Sequence, residues 1–159
     1  MGSEGQLPNT SWQYGTDADL RLVQPPTALG PNTTAHGQQY AFEFASEDSR
    51  DGFWQDLNVT YEAGSTYTFS VALGLGQNIN YNSIVALEFR ISANTPVASR
   101  SLLAASLLEE QFSMQSVHHQ VPSDASYSGD TIRVALRFSG TGFSPGIDAA
   151  QVCLTAEPT

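Results

Sequence analysis

This sequence predicts an all-β fold, an antiparallel two-sheet sandwich of jelly-roll type, on three observations. Apolar and polar residues alternate with a period of two in about eight short segments. Gly, Pro, Asn and Ser clusters separate those segments at short, irregular spacing. Nowhere does a strand pattern alternate with a helical one, as a parallel α/β sheet would require.

The stretch from Gln39 to Gly74 carries the clearest pattern, three strand-like runs divided by two turn signals. In the first, Tyr40, Phe42 and Phe44 alternate with Ala41, Glu43 and Ala45. In the second, Phe53, Gln55, Leu57 and Val59 share one face, while Trp54, Asp56, Asn58 and Thr60 share the other. In the third, Tyr67, Phe69, Val71 and Leu73 form an apolar face. Glu62-Ala63-Gly64-Ser65 makes the turn between the last two, with Gly64 free to adopt a positive φ.

Upstream, residues 1–19 read as an N-terminal segment in which Trp12 and Tyr14 supply a first short strand or an exposed aromatic platform. Residues 20–159 form a single sandwich domain. Leu20 to Val23 is a short strand closed by Pro25-Pro26, and Thr27 to Gly37 is a loop. Downstream, the Gly- and Asn-rich run after Leu73 is a loop carrying Tyr81. Ile84 to Ile91 is a strand with Val85, Leu87, Phe89 and Ile91 inward, leaving Glu88 and Arg90 on a wet side. Ser99 to Glu110 fits a short helix or a strand and loop equally well. Strands follow at Phe112 to Val121, Thr131 to Phe138 and Ile147 to Ala156, with a Gly-rich turn over Ser139 to Gly146.

The chain has 159 residues, enough for one domain to bury roughly 70% of its unfolded surface. Six Arg, no Lys and a net charge of −10 give no footprint for nucleic acid or anionic lipid. No apolar run approaches the ~20 residues that span a bilayer. Cys153 stands alone, which excludes an internal disulfide and multi-thiolate zinc sites. Met1-Gly2-Ser3 has the look of a cloning remnant, so the want of a signal peptide says nothing about export. No G-x-S-x-G, H-E-x-x-H or phosphate loop occurs. His118 and His119 are adjacent in a strand and point to opposite faces.

Three pieces then carry a resemblance: Phe53-Trp54-Gln55-Asp56-Leu57, the turn and strand from Ala63 to Val71, and the closing run from Ile147 to Ala156. Together, over roughly residues 39–158, they resemble the galactose-binding-domain-like jelly rolls, which include many carbohydrate-binding modules of bacterial secreted proteins. The closing run departs from the family pattern, with Ala150-Gln151-Val152 in place of an acidic-Asn-Val step. The family's opening Asn-Gly and Phe-Glu steps are missing before Leu20.

The resemblance implies a non-catalytic module of an exported or cell-surface protein that binds a neutral glycan. Trp54, Asp56 and Asn58, sharing one outward face, and Tyr81 on its loop are the expected ligand residues. It also implies a structural calcium with Asp148 as one ligand, although calcium needs six to eight oxygens. The acidic turn of Glu47, Asp48 and Asp51 is a rival cation site without EF-hand spacing. Two alternatives stand beside the module. One is an enzyme on the same scaffold, since some cyanobacterial alkaloid cyclases resemble this jelly roll and use an acidic residue to protonate substrate. Asp148 or Glu43 would be that acid. The other is an adhesion domain of a larger protein.

Overall fold

A computed structural model describes residues 5–6, 13–14, 19–23, 40–45, 53–74, 84–91, 95–107, 111–139, 142–148 and 157–158. Their strands are β1 (Gly5–Gln6), β2 (Gln13–Tyr14), β3 (Asp19–Val23), β4 (Tyr40–Ala45), β5 (Phe53–Thr60), β6 (Ser65–Gly74), β7 (Ile84–Ile91), β8 (Thr95–Leu103), β9 (Phe112–Gln120), β10 (Thr131–Ser139), β11 (Gly142–Asp148) and β12 (Glu157–Pro158). They form two sheets in which every pairing is antiparallel. The first runs β1-β2-β5-β10-β7-β8, and the second runs β12-β6-β11-β4-β3 with β9 paired to β6.

Between the sheets lies the core that the alternation predicts. From the second sheet come Tyr67, Phe69, Val71 and Leu73 of β6 and Val117 of β9; from the first come Phe53, Val85, Leu87, Phe89, Val134 and Leu136. Phe69 meets Phe89 edge to face across the gap, ring centroids 6.4 Å apart. Val59 departs from the expected face and is 46% exposed, at the end of β5 where pairing with β10 shifts register between Thr131 and Arg133.

Two segments differ from the sequence reading. Residues 95–103 are strand, and the helical tendency there reduces to a single 3-10 turn at Ala104–Ser106. Of the leucines in this stretch, Leu107 is buried and Leu103 exposed. Tertiary pairing with β7 over its whole length outweighs the propensity. The closing strand begins at Gly142 rather than at Ile147. A proline inside a strand cannot donate to the ladder, and Pro145 is accommodated because register shifts between Phe143 and Gly146. Residues 149–156 lie outside the described residues.

One end of the sandwich is tied together by Tyr61. Its ring packs edge to face on Tyr67, His119 and Tyr127, at centroid distances of 5.9, 6.0 and 5.3 Å. Its hydroxyl donates to the Arg90 carbonyl at 2.9 Å, and burial raises its pKa. Its backbone holds the turns that lead into β10, with Tyr61 N donating to Asp130 O and Gly129 N donating to Tyr61 O. Gly129 needs its φ of 93°, and Gly64, at 83°, closes the turn before β6. Adjacent histidines do separate. His118 hydrogen-bonds Thr68 on the exposed side, whereas buried His119 is 2.8 Å from the Tyr127 hydroxyl.

Two outcomes follow from this packing. A Cβ at Gly74 would lie 2.6 Å from the Gln111 carbonyl oxygen, a backbone atom that cannot swing aside. Gly74→Ala should therefore cost about 1–3 kcal/mol in urea unfolding. Burial among Tyr61, Phe89 and Tyr127 lowers the His119 pKa below its usual 6.5. The unfolded chain then binds the proton more readily. Stability from the neutral ring is present above pH 6.5 and is lost as pH falls through the folded value. The urea midpoint should drop between pH 7 and pH 5, and His119→Gln should flatten that slope while His36 and His118 remain.

Candidate functional site

On the first sheet, the side turned away from the core carries a charged cluster. The period of two places Trp54 and Asp56 of β5, Arg133, Ala135 and Arg137 of β10, and Ala86, Glu88 and Arg90 of β7 together there. Rows run across the strands by register. Trp54, Ala135, Glu88 and Ser99 form one row, and Asp56, Arg133 and Arg90 form the next.

Along β7 this side is not wet, contrary to the sequence reading, although Asp56 and Arg137 beside it are about half-exposed. Glu88 and Arg90 are each only 2% exposed, and Ala86 and Ala135 are buried beside them. Arg90 donates to Glu88 Oε1 at 2.9 Å. Arg137, half-exposed, brings its Nε to 3.4 Å from the same oxygen. Burying an unpaired charge costs several kcal/mol, so Glu88 and Arg90 are buried only as a pair. Their spacing in sequence, i and i+2, is what puts them on one side.

Beside them, Arg133 forks onto Asp56, with Nε 2.6 Å from Oδ1 and Nη2 2.8 Å from Oδ2. Its guanidinium carbon also stands 5.4 Å from the Trp54 ring centre, a cation–π arrangement. The hydrogen bond from Arg133 lowers the Asp56 pKa despite partial burial. With the Asp56 side chain 54% exposed, this pair contributes under about 1 kcal/mol and mainly sets the geometry of the Trp54 platform.

Of the residues singled out in the sequence, Trp54, Asp56 and Asn58 thus belong to one side of β5, with Trp54 half-buried and the other two exposed. Arg133 engages both carboxylate oxygens of Asp56. Tyr81 and the turn of Glu47, Asp48 and Asp51 lie outside the described residues. Asp148 ends β11 with its backbone opposite Ala72, and Glu43 lies in β4 opposite Leu20. Among the described residues no three His, Cys, Asp or Glu side chains converge on a metal position. None of the helices there is long and apolar enough to cross a membrane.

Sequence reasoning missed the contribution of Arg133, Arg137, Glu88 and Arg90. A signal was present: both β7 and β10 set charged residues at even spacing opposite their apolar face. What could not be read was that β7 and β10 are neighbours and that this side is covered.

Residues 3–147 match the HpiC1-like family model, described as HpiC1 cyclase. Among solved structures, the Stig cyclase Fisc of Fischerella sp. TAU, in complex with (3Z)-3-(1-methyl-2-pyrrolidinylidene)-3H-indole, aligns with a TM-score of 0.66 and 18% identity. That alignment covers 89% of this chain and 76% of the other. A cyclase from Fischerella sp. TAU in complex with 4-(1H-indol-3-yl)butan-2-one aligns with a TM-score of 0.65 and 20% identity, over 97% and 79% of the two chains. The CBM22-1 xylan-binding domain of Paenibacillus barcinonensis Xyn10C is also similar, with a TM-score of 0.59 and 11% identity, over 95% and 88%. No curated protein matches by sequence.

These identities show a shared jelly-roll fold, and the fold is common to cyclases and xylan-binding modules. The expectation of a non-catalytic carbohydrate-binding module is overturned by the family match, which spans nearly the whole chain and is to a cyclase. The misleading motifs explain the error. Ala63 to Val71 builds a core strand and its turn, which serve any ligand alike. By the extent of its match, this chain belongs to the HpiC1-like cyclase family.

Proposed function

We propose that this protein is a cyclase that closes a ring in a small indole-bearing molecule, held on the covered, charged side of the first sheet. The observation that carries the reading beyond family membership is the burial of Glu88 and Arg90 on the side away from the core. A surface that merely met solvent would leave both exposed, and a surface that merely packed would be apolar. A covered charged surface excludes water and keeps electrostatic interactions strong, which suits chemistry through cationic intermediates. Indole ligands in two cyclases of the same fold support the substrate class.

Ring closure of this kind is an isomerisation. A carboxyl donates a proton to the substrate, a carbon–carbon bond forms onto the resulting cation, and a proton is then lost. Asp148 and Glu43, the acids weighed from the sequence, stand in β11 and β4 of the second sheet, so neither is assigned as the acid for a substrate held at the first sheet. Trp54 supplies an aromatic surface against which an electron-poor ring or a cation is stabilised.

The test sets two ligand classes against each other. 4-(1H-Indol-3-yl)butan-2-one should quench tryptophan fluorescence saturably, and xylohexaose should not. An isomerisable indole precursor should yield a product of unchanged mass and altered retention time. Saturable xylohexaose binding with no response to indoles would defeat the reading.

A structural calcium on Asp148 is likewise proposed, as a stabilising ion. One carboxylate falls short of the six to eight oxygens that calcium takes, so no step of the reaction is routed through it. If the ion is held, a chelator should lower the thermal midpoint and added calcium should restore it, with magnesium failing to substitute. An unchanged midpoint would remove calcium from the account.

A further inference from the structure

We propose that Arg137 is the specificity residue of this site: its outward N–H groups receive a carboxylate carried by the small molecule, a role that rests on the cyclase reading above. Arg137 is the surplus cation of the cluster. Asp56 and Arg133 balance one to one, the guanidinium taking both carboxylate oxygens. Glu88 is likewise neutralised by Arg90, whose Nη2 lies 2.9 Å from Oε1. Arg137 then brings a second guanidinium to that same oxygen, with Nε at 3.4 Å. Among the described residues of this side, three arginines stand against two carboxylates, in a chain whose net charge is −10. A second cation beside a paired carboxylate gains little attraction and repels Arg90. An anion from outside the chain removes that imbalance.

Exposure decides which of these groups can meet that anion. The side chains of Glu88 and Arg90 are 3% and 2% exposed, so neither is open to a ligand, whereas 45% of the Arg137 side chain reaches solvent. Arg133 is 17% exposed and its fork is committed to Asp56. Because Glu88 holds Arg137 at Nε, the two terminal nitrogens are left to the accessible part of the side chain. A guanidinium anchored in this way loses little freedom on binding, and its paired N–H groups match a planar carboxylate. By register, Ser101 opposite Ala86 and Ser99 opposite Glu88 are the next residues across on β8, and both are exposed. Their hydroxyls are the neighbouring donors on that rim. The anion is thus received at the accessible edge of the cluster, and Ala86 and Ala135 stay covered.

The ligand class this selects is an indole that carries a carboxylate. Arg137 takes no proton and forms no covalent bond; it holds the anion equally before and during the reaction, so its loss should appear in affinity and not in turnover. A pair that only tied β10 to β7 would have no influence on which ligand binds. Attraction between accessible charges is also screened as ionic strength rises, which gives the contact a second signature.

The experiment is isothermal titration calorimetry of the full chain at neutral pH with two indoles of like size, the anionic 4-(1H-indol-3-yl)butanoate and the neutral 4-(1H-indol-3-yl)butan-2-one. In low salt the carboxylate should bind about five- to tenfold more tightly than the ketone. Salt at about 0.5 M should erase most of that preference. Arg137→Gln should lose the preference while keeping its affinity for the ketone, and Arg137→Lys should keep part of it. Arg133→Gln should leave the ratio of the two affinities unchanged. A wild-type protein that binds the ketone and shows no preference for the carboxylate overturns the proposal and leaves the cyclase reading intact. A folded Arg137→Gln protein that retains the preference does the same. If Arg137→Gln does not fold, salt decides: a carboxylate preference that salt erases supports the role, and one unmoved by salt overturns it. Saturable binding of neither indole overturns both readings together.

Discussion

The pairing of Glu88 with Arg90 is the constraint around which the first sheet is arranged. Two ionic side chains at alternate positions of a central strand must face the same way, and β7 turns them away from the core because Val85, Leu87 and Phe89 occupy it. Neither charge tolerates burial alone. Each is therefore a condition for the other, and the neighbouring Arg137 of β10 completes a small ionic network around one carboxylate oxygen. In a chain with only six cationic residues, three of them, Arg90, Arg133 and Arg137, are gathered on this one side. Simple solubility does not call for that concentration of positive charge in an acidic protein.

That network is joined to the rest of the molecule through Tyr61. Its hydroxyl holds the backbone of Arg90, while its ring supports His119 and Tyr127 and its own backbone grips the turns leading into β10. The strands that carry the charged cluster are thus fixed at one end by an aromatic cluster with satisfied polar ends. Such a scaffold can keep charged groups in place with little reorganisation during a reaction, which is where preorganised electrostatics derive their effect.

The same sandwich serves xylan-binding modules and cyclases because the core and the working surface are separate sets of residues. Tyr67, Phe69, Val71 and Leu73 determine that β6 faces another sheet; they have no part in what the far side of β7 and β10 meets. A likeness resting on β6 and its turn therefore identifies the scaffold and is silent about chemistry. Here the cyclase family match supplied the class of function, and the covered charges supplied the candidate site.

By itself the sequence determined the fold class, the apolar sides of β6 and β7 and most of that of β5, and the opposite orientation of His118 and His119, since all of these follow from a local period of two. It also placed Trp54 and Asp56 on one side of one strand. The tertiary structure alone decided that β10 lies between β5 and β7, which brings Arg133 to Asp56 and Arg137 to Glu88 across separations of 77 and 49 residues. It likewise decided that Glu88 and Arg90 are buried and that residues 95–103 pair as strand. The physical reason is that alternation specifies which way a side chain points, whereas strand order and the covering of a sheet depend on long-range pairing that no local pattern encodes.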